Sequence, residues 1–135
     1  MKTYSEVIEE TVEYYKTNPR ALDEALTDCV YYTKTGAMCA IGRCAKDPQE
    51  LEQIYGGGSI ETLITEIKTS NKVNRTTKSI LQNEILKAEY RHLDDYIFWH
   101  DLQCLHDNKY NWEGDKLSDM GKVFLEEIRK KYKGK

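Results

Sequence analysis

Four cysteines, three histidines and one pair of adjacent tyrosines are the residues of this 135-residue chain with the most chemistry to offer. Zinc takes thiolates and imidazoles at tetrahedral corners, and Cys29, Cys39, Cys44 and His106 could supply four ligands. The spacing opposes this, since nine residues separate Cys29 from Cys39 and four separate Cys39 from Cys44, with no C-x-x-C knuckle. The plainer reading makes the cysteines small buried hydrophobes, and it leads; no metal and no cofactor is expected. A nucleophilic reading gives Cys39 as the thiol, His106 as its base and Asp107 or Gln103 as helper. The apolar neighbours of Cys39 would bury and quiet that thiol, so an enzyme is not the expected outcome.

The histidines divide by setting. His92 lies in a charged stretch and reads as a solvated helix residue. His100 and His106 are six apart, which does not place them on one helix face, and His106-Asp107 reads as a helix-end cap with a buried hydrogen bond. Gly56-Gly57-Gly58 before Ser59 could meet an anion at a helix start, but no Lys-Ser/Thr pair follows and no strand precedes, so a connector is expected. Tyr31 and Tyr32 on a hairpin would point to opposite faces. A projecting tyrosine beside Lys34, Arg43 and Arg91 would make a stacking plane flanked by cations, which suits a nucleotide or another phosphorylated small molecule. The candidate ligand set is therefore Tyr31, Tyr32, Lys34, Arg43 and Arg91, joined by His106 and Asp107.

Cys29-Val30-Tyr31, the turn glycine Gly36, Cys39-Ala40-Ile41-Gly42 and the later Leu102-Gln103-Cys104-Leu105-His106-Asp107, followed by Trp112, form an ordered set. In order and spacing it resembles a family of small uncharacterised proteins of tailed bacteriophages and prophages, with C-x-Y, G-x-x-C-A-[IV]-G and L-Q-x-x-H-D motifs. The resemblance runs from about Cys29 to the end and brings no activity with it. It implies a phage or prophage origin and action inside a bacterial cell. The relatives often carry cysteine directly after the glycine of C-A-[IV]-G, whereas here Arg43 precedes Cys44.

These residues need elements to hold them. Tyr4, Val7, Ile8, Val12 and Tyr15 recur at three and four, the stripe of an amphipathic helix with Glu6, Glu9, Glu10 and Glu13 outside it. Asn18-Pro19 reads as the start of a short helix through Leu22 and Leu26. Residues 29–41 read as a hairpin turning at Gly36, with a helix from Ala37 as the alternative. Asp47-Pro48 opens a helix to Tyr55; Ile60, Leu63, Ile64 and Ile67 mark the next. The tract from Ile80 to Leu102 reads as two helices, Asn108–Gly114 as a loop, and Leu117, Met120, Val123, Phe124, Leu125 and Ile128 as a closing helix with a solvated basic tail. The expected fold is a single α+β domain over 1–135, mostly α, with five to six short helices around a small β-hairpin.

Composition bounds the partners. A net charge of −3 excludes a uniformly basic binder of duplex nucleic acid. No apolar run approaches the roughly 20 residues that cross a bilayer, and MKTYSEVIEE is too acidic for a secretory signal, so no membrane is expected and the location is the host cytoplasm. The expected function is a phage accessory protein that binds, without turnover, a host protein or a nucleotide-type immune signal, as an anti-defence sponge or inhibitor. Homo-oligomerisation accords with a small protein closing a pocket. A zinc-stabilised interaction module and a cysteine-dependent hydrolase are the alternatives.

Overall fold

The computed structural model describes residues 1–22, 30–55, 60–71 and 76–135. Helix α1 spans Tyr4–Thr17 and is set by a reciprocal cap, in which the Thr3 side chain accepts from Glu6 N–H while the Glu6 side chain accepts from Thr3 N–H. Its buried side is Val7, Ile8, Thr11 and Tyr15; Val7, Ile8 and Tyr15 belong to the expected stripe, while Tyr4 and Val12 are only partly buried against the core. Asn18 closes this helix instead of opening the next: its N–H and its side-chain amide both donate to Tyr14 O. Residues 19–22 are not helical, and the expected helix through Leu26 otherwise falls outside the described residues, as do Cys29, the three glycines and Ser59.

The expected hairpin near 29–41 is reduced to one antiparallel bridge between Tyr32 and Met38, closed by Thr33 N–H to Ala37 O at 2.9 Å. Its second arm turns at once into α2, Ala40–Cys44, so the hairpin and the helix alternatives each hold for part of the segment. Cys39 caps that helix through its Sγ, which accepts from Gly42 N–H at 3.2 Å. Gly42 is required because a Cβ there would stand 2.3 Å from Tyr31 O.

Helix α3, Pro48–Tyr55, starts where Asp47-Pro48 predicts, with Asp47 Oδ1 accepting from Glu50 N–H. Helix α4, Ile60–Asn71, buries Ile60, Leu63, Ile64 and Ile67. Helix α5, Thr77–Ile80, runs on as a π turn to Ile85. The break follows because Leu86 is extended and bridges to Ala45, while Lys87 N–H donates to Cys44 O. Helix α6, Tyr96–Asp107, begins at an Asp95 cap and is the core's second half, with Phe98, Trp99, Leu102 and Leu105 buried.

The two-stranded sheet begins in the stretch read as a loop and ends on Leu117, which was read as part of the closing helix: β1, Trp112–Glu113, pairs antiparallel with β2, Lys116–Leu117. Gly114-Asp115 is the two-residue turn, with Gly114 at φ 64°, the left-handed region open to glycine. Helix α7, Asp119–Lys131, is capped by Ser118 and buries Gly121, Leu125 and Ile128. Met120 and Val123, assigned to its apolar stripe from sequence, are 59% and 61% exposed. The basic end is not wholly solvated, since Tyr132 packs on Phe98 and Tyr4 and its hydroxyl donates to Asp101. The architecture is thus mostly helical α+β, as expected, with seven α-helices among the described residues.

Candidate functional site

The end of α1, the end of α6 and the β1–β2 hairpin enclose a cleft of about 320 Å³. Val12 and Tyr15 come from α1, Leu105 and His106 from α6, Trp112 and Leu117 from the strands; Lys16, Asp115 and Lys116 are its charged members. Tyr15 and Trp112 meet edge-on at 5.9 Å between ring centroids. The alternation of β1 and β2 places Trp112 opposite Leu117, so one face of a four-residue sheet supplies two walls.

The polar atoms of the floor are already engaged. Tyr15 hydroxyl donates to Met38 O at 2.6 Å, and burial raises its pKa well above the usual phenol value. Thr11 hydroxyl donates to Val7 O and accepts from Arg43 Nη2. His106 is 1% exposed; its Nε2 lies 3.1 Å from Ala21 N–H and its Nδ1 2.6 Å from Asp107 Oδ1. A backbone amide can only donate, so Nε2 accepts and the ring proton sits on Nδ1. Burial lowers the pKa of His106, and the Asp107 carboxylate opposes that only in part.

A second groove continues past Asp115, with Arg20, Tyr32, Lys34 and Glu52 on its walls. Between the two, Arg20 donates twice to His106 O, through Nε at 2.8 Å and Nη2 at 2.6 Å, and its guanidinium lies 5.1 Å from the Trp112 ring centre.

The seven residues singled out from sequence are dispersed. Tyr32 and Lys34 share the second groove, and His106 lines the first. Tyr31 is 2% exposed and packs in the core, its N–H donating to Glu52. Arg43 is 8% exposed and binds Glu10 Oε1 at 2.5 Å, with Tyr14 against its guanidinium. Glu10 also receives Lys2 and the Tyr90 hydroxyl; burial pushes its carboxyl up, but these three partners outweigh it and hold the pKa at about 2. Arg91 is exposed at the end of a short 3-10 turn, away from both grooves. Asp107 is spent on His106 and Gln103.

Cys39 and His106 make no hydrogen bond to each other. The Cys39 thiol is fully buried on Gly42 N–H, and burial pushes it up to about 12. Among the described residues no three His, Cys, Asp or Glu side chains converge as a metal site, and Cys29 lies outside them.

Lys16, Arg20, Trp112 and Lys116 were missed as site residues from sequence. One signal could have found four of the cleft's members: Trp112-Glu113-Gly114-Asp115-Lys116-Leu117 carries a Gly-Asp pair between apolar-polar flanks, the mark of a two-residue hairpin. Among the described residues no helix is long and apolar enough to cross a membrane. Compared with family models, curated proteins and solved structures, the chain matches none.

Proposed function

We propose that this protein is a phage accessory protein that binds, without turnover, a small phosphorylated aromatic molecule of nucleotide type in the Trp112 cleft, in the host cytoplasm. The observation that carries the reading is the pairing of an aromatic and aliphatic pocket, Tyr15, Val12, Leu105, Trp112 and Leu117, with two lysines, Lys16 and Lys116, among its lining residues. A volume of about 320 Å³ is of the size that holds a small ligand. A base is taken there by its face, because the floor's own polar atoms are committed to the protein. The lysines supply charge for a phosphate. That commitment also favours binding over turnover, since neither nitrogen of His106 is open to take a substrate proton.

Lysate from infected bacteria, passed over the protein and followed by heat release and mass spectrometry, tests this. A sponge returns an intact nucleotide-type molecule, and the joint substitution Lys16→Ala and Lys116→Ala weakens rebinding roughly tenfold or more. A cleaved product, or a retained protein with no small molecule, overturns it.

A further inference from the structure

Glu61, His100 and Cys104 form a chain of side chains that lies outside the cleft, between α4 and α6. Cys104 is one helical turn beyond His100, and its Sγ lies 3.5 Å from Nε2. On the far side of the ring, Nδ1 lies 3.2 Å from Glu61 Oε1. An ionised carboxylate only accepts, so the proton of the neutral ring is fixed on Nδ1 and the Nε2 lone pair faces the thiol. His106 is built in the same way, with Asp107 on Nδ1, but Ala21 N–H already occupies its Nε2. The difference between the two histidines is what each presents at Nε2: a backbone amide in one case, a thiol in the other.

Access differs among the cysteines too. Cys39 and Cys44 are buried, and burial pushes their thiols up to about 12 and about 11. Cys104 is only partly buried, and the side chains of His100 and Glu61 are 40% and 50% exposed. A small reagent can reach this cluster and cannot reach the other two described thiols.

The geometry points to Cys104 as a nucleophilic thiol, with His100 as its base and Glu61 as the residue that positions the imidazole, reacting with low-molecular-weight disulfides. His100 Nε2 takes the S–H proton as Sγ attacks one sulfur of the disulfide. The new Sγ–S bond forms as the reagent's S–S bond breaks. The departing thiolate takes the proton from His100 and leaves as a thiol, so the protein holds a mixed disulfide and no further oxidant is needed. Partial burial, and then the carboxylates of Asp107, Asp101 and Glu61, push the Cys104 thiol upward, so without a base it is a bystander at neutral pH.

The test uses the full chain carrying Cys29→Ser and oxidised glutathione as the probe, with the modified residue located by peptide mass mapping. Cys104 is expected to take the glutathionyl group. His100→Gln slows the reaction by about tenfold or more and Glu61→Gln by a few-fold, with helical circular dichroism unchanged. The pH profile separates a base from a packing role: in His100→Gln the rate climbs about tenfold per pH unit with the thiolate, while the parent is flatter around neutrality. Equal rates and equal profiles in parent and His100→Gln overturn the inference, as does a folded protein whose Cys104 stays unmodified. Should His100→Gln unfold, Glu61→Gln on the exposed side decides by the same two readouts.

Discussion

His106 gives the sharpest test of the site's electrostatics, because its only neutral arrangement is fixed at both nitrogens. Nδ1–H donates to Asp107 Oδ1 at 2.6 Å and Nε2 accepts from Ala21 N–H at 3.1 Å, in a ring that is 1% exposed. A second proton would set an N–H against an N–H and put a cation beside the Arg20 guanidinium. Burial, and to a smaller degree Arg20, accordingly lower the folded-state pKa below 6.5, with Asp107 opposing. In the unfolded chain the histidine titrates near 6.5, so below that pH the unfolded state binds a proton that the folded state refuses. The contribution is therefore complete above about pH 6.5 and declines as pH falls toward the folded value. One proton sets the limiting slope, about 1.4 kcal/mol per pH unit.

Urea unfolding followed by helical circular dichroism, at steps from about pH 7.5 to about pH 5, reads this slope directly. His106→Gln removes the titration while offering Ala21 N–H an amide oxygen. It also loses the ring contact with Tyr15, at 5.3 Å between centroids, so a baseline loss of about 1–3 kcal/mol at neutral pH is expected. The informative quantity is the gap between parent and variant, which narrows on acidification. Glu10, held at about 2, titrates below this window and does not share it. A gap that stays constant or widens from neutral pH to about pH 5 would refute the assigned tautomer and the burial argument together.

Two further substitutions probe the core beside the cleft. Gly42→Ala puts a Cβ 2.3 Å from Tyr31 O in a place where backbone meets backbone, so stability falls by about 3 kcal/mol or more, read from the urea midpoint; a loss under about 1 kcal/mol contradicts the close approach. Glu10→Gln removes the countercharge of Arg43, whose Nε already has no hydrogen-bond partner, and costs about 3 kcal/mol at neutral pH. Because the Glu10 pKa is depressed from 4.5 to about 2, its contribution is present above about 4.5 and is lost as pH falls toward about 2, so parent and variant converge there.

A cap coinciding with a stripe made several helices legible, but not at Asn18-Pro19, where Asn18 closes α1 and residues 19–22 are not helical. Asp47 with Pro48 announced a first turn, and Val7, Ile8 and Tyr15 announced a buried face, whereas the cap that Thr3 forms with Glu6 emerged only from the structure. Legibility failed where a partner distant in sequence decided the outcome. Leu86 is extended because Ala45 pairs with it, and nothing in Leu81–Lys87 announces that partner. Met120 and Val123 fit a helical apolar stripe as well as Leu125 and Ile128 do. Gly121 decides which stripe turns inward, since it lets α7 approach Asn111 O to a distance that a Cβ, at 2.1 Å, would forbid. Tyr31 is buried while Tyr32 lines the second groove, and of the three cations expected beside them only Lys34 shares that groove: Arg43 is committed to Glu10 on α1, a pairing across 33 residues.

The L-Q-x-x-H-D run shows why a polar motif can be conspicuous in sequence without being chemically open. Gln103, His106 and Asp107 are three and four apart, so α6 sets them on one face. Gln103 Oε1 accepts from Ile41 N–H at the start of α2, and its amide donates to both oxygens of Asp107. Asp107 receives His106 Nδ1–H, and His106 receives Ala21 N–H, while Arg20 closes on the His106 carbonyl. Each bond joins α6 to a segment more than 60 residues earlier or passes the connection along α6. Deleting one member leaves the next buried donor or acceptor unpaired, so the run behaves as a unit in stability and has no member to spare for a substrate. The same i, i+4 geometry at His100 and Cys104 lacks that closure, since its Nε2 meets a thiol and not a distant amide. Reactivity follows from where the hydrogen-bond chain is left open, not from which residue types the chain contains.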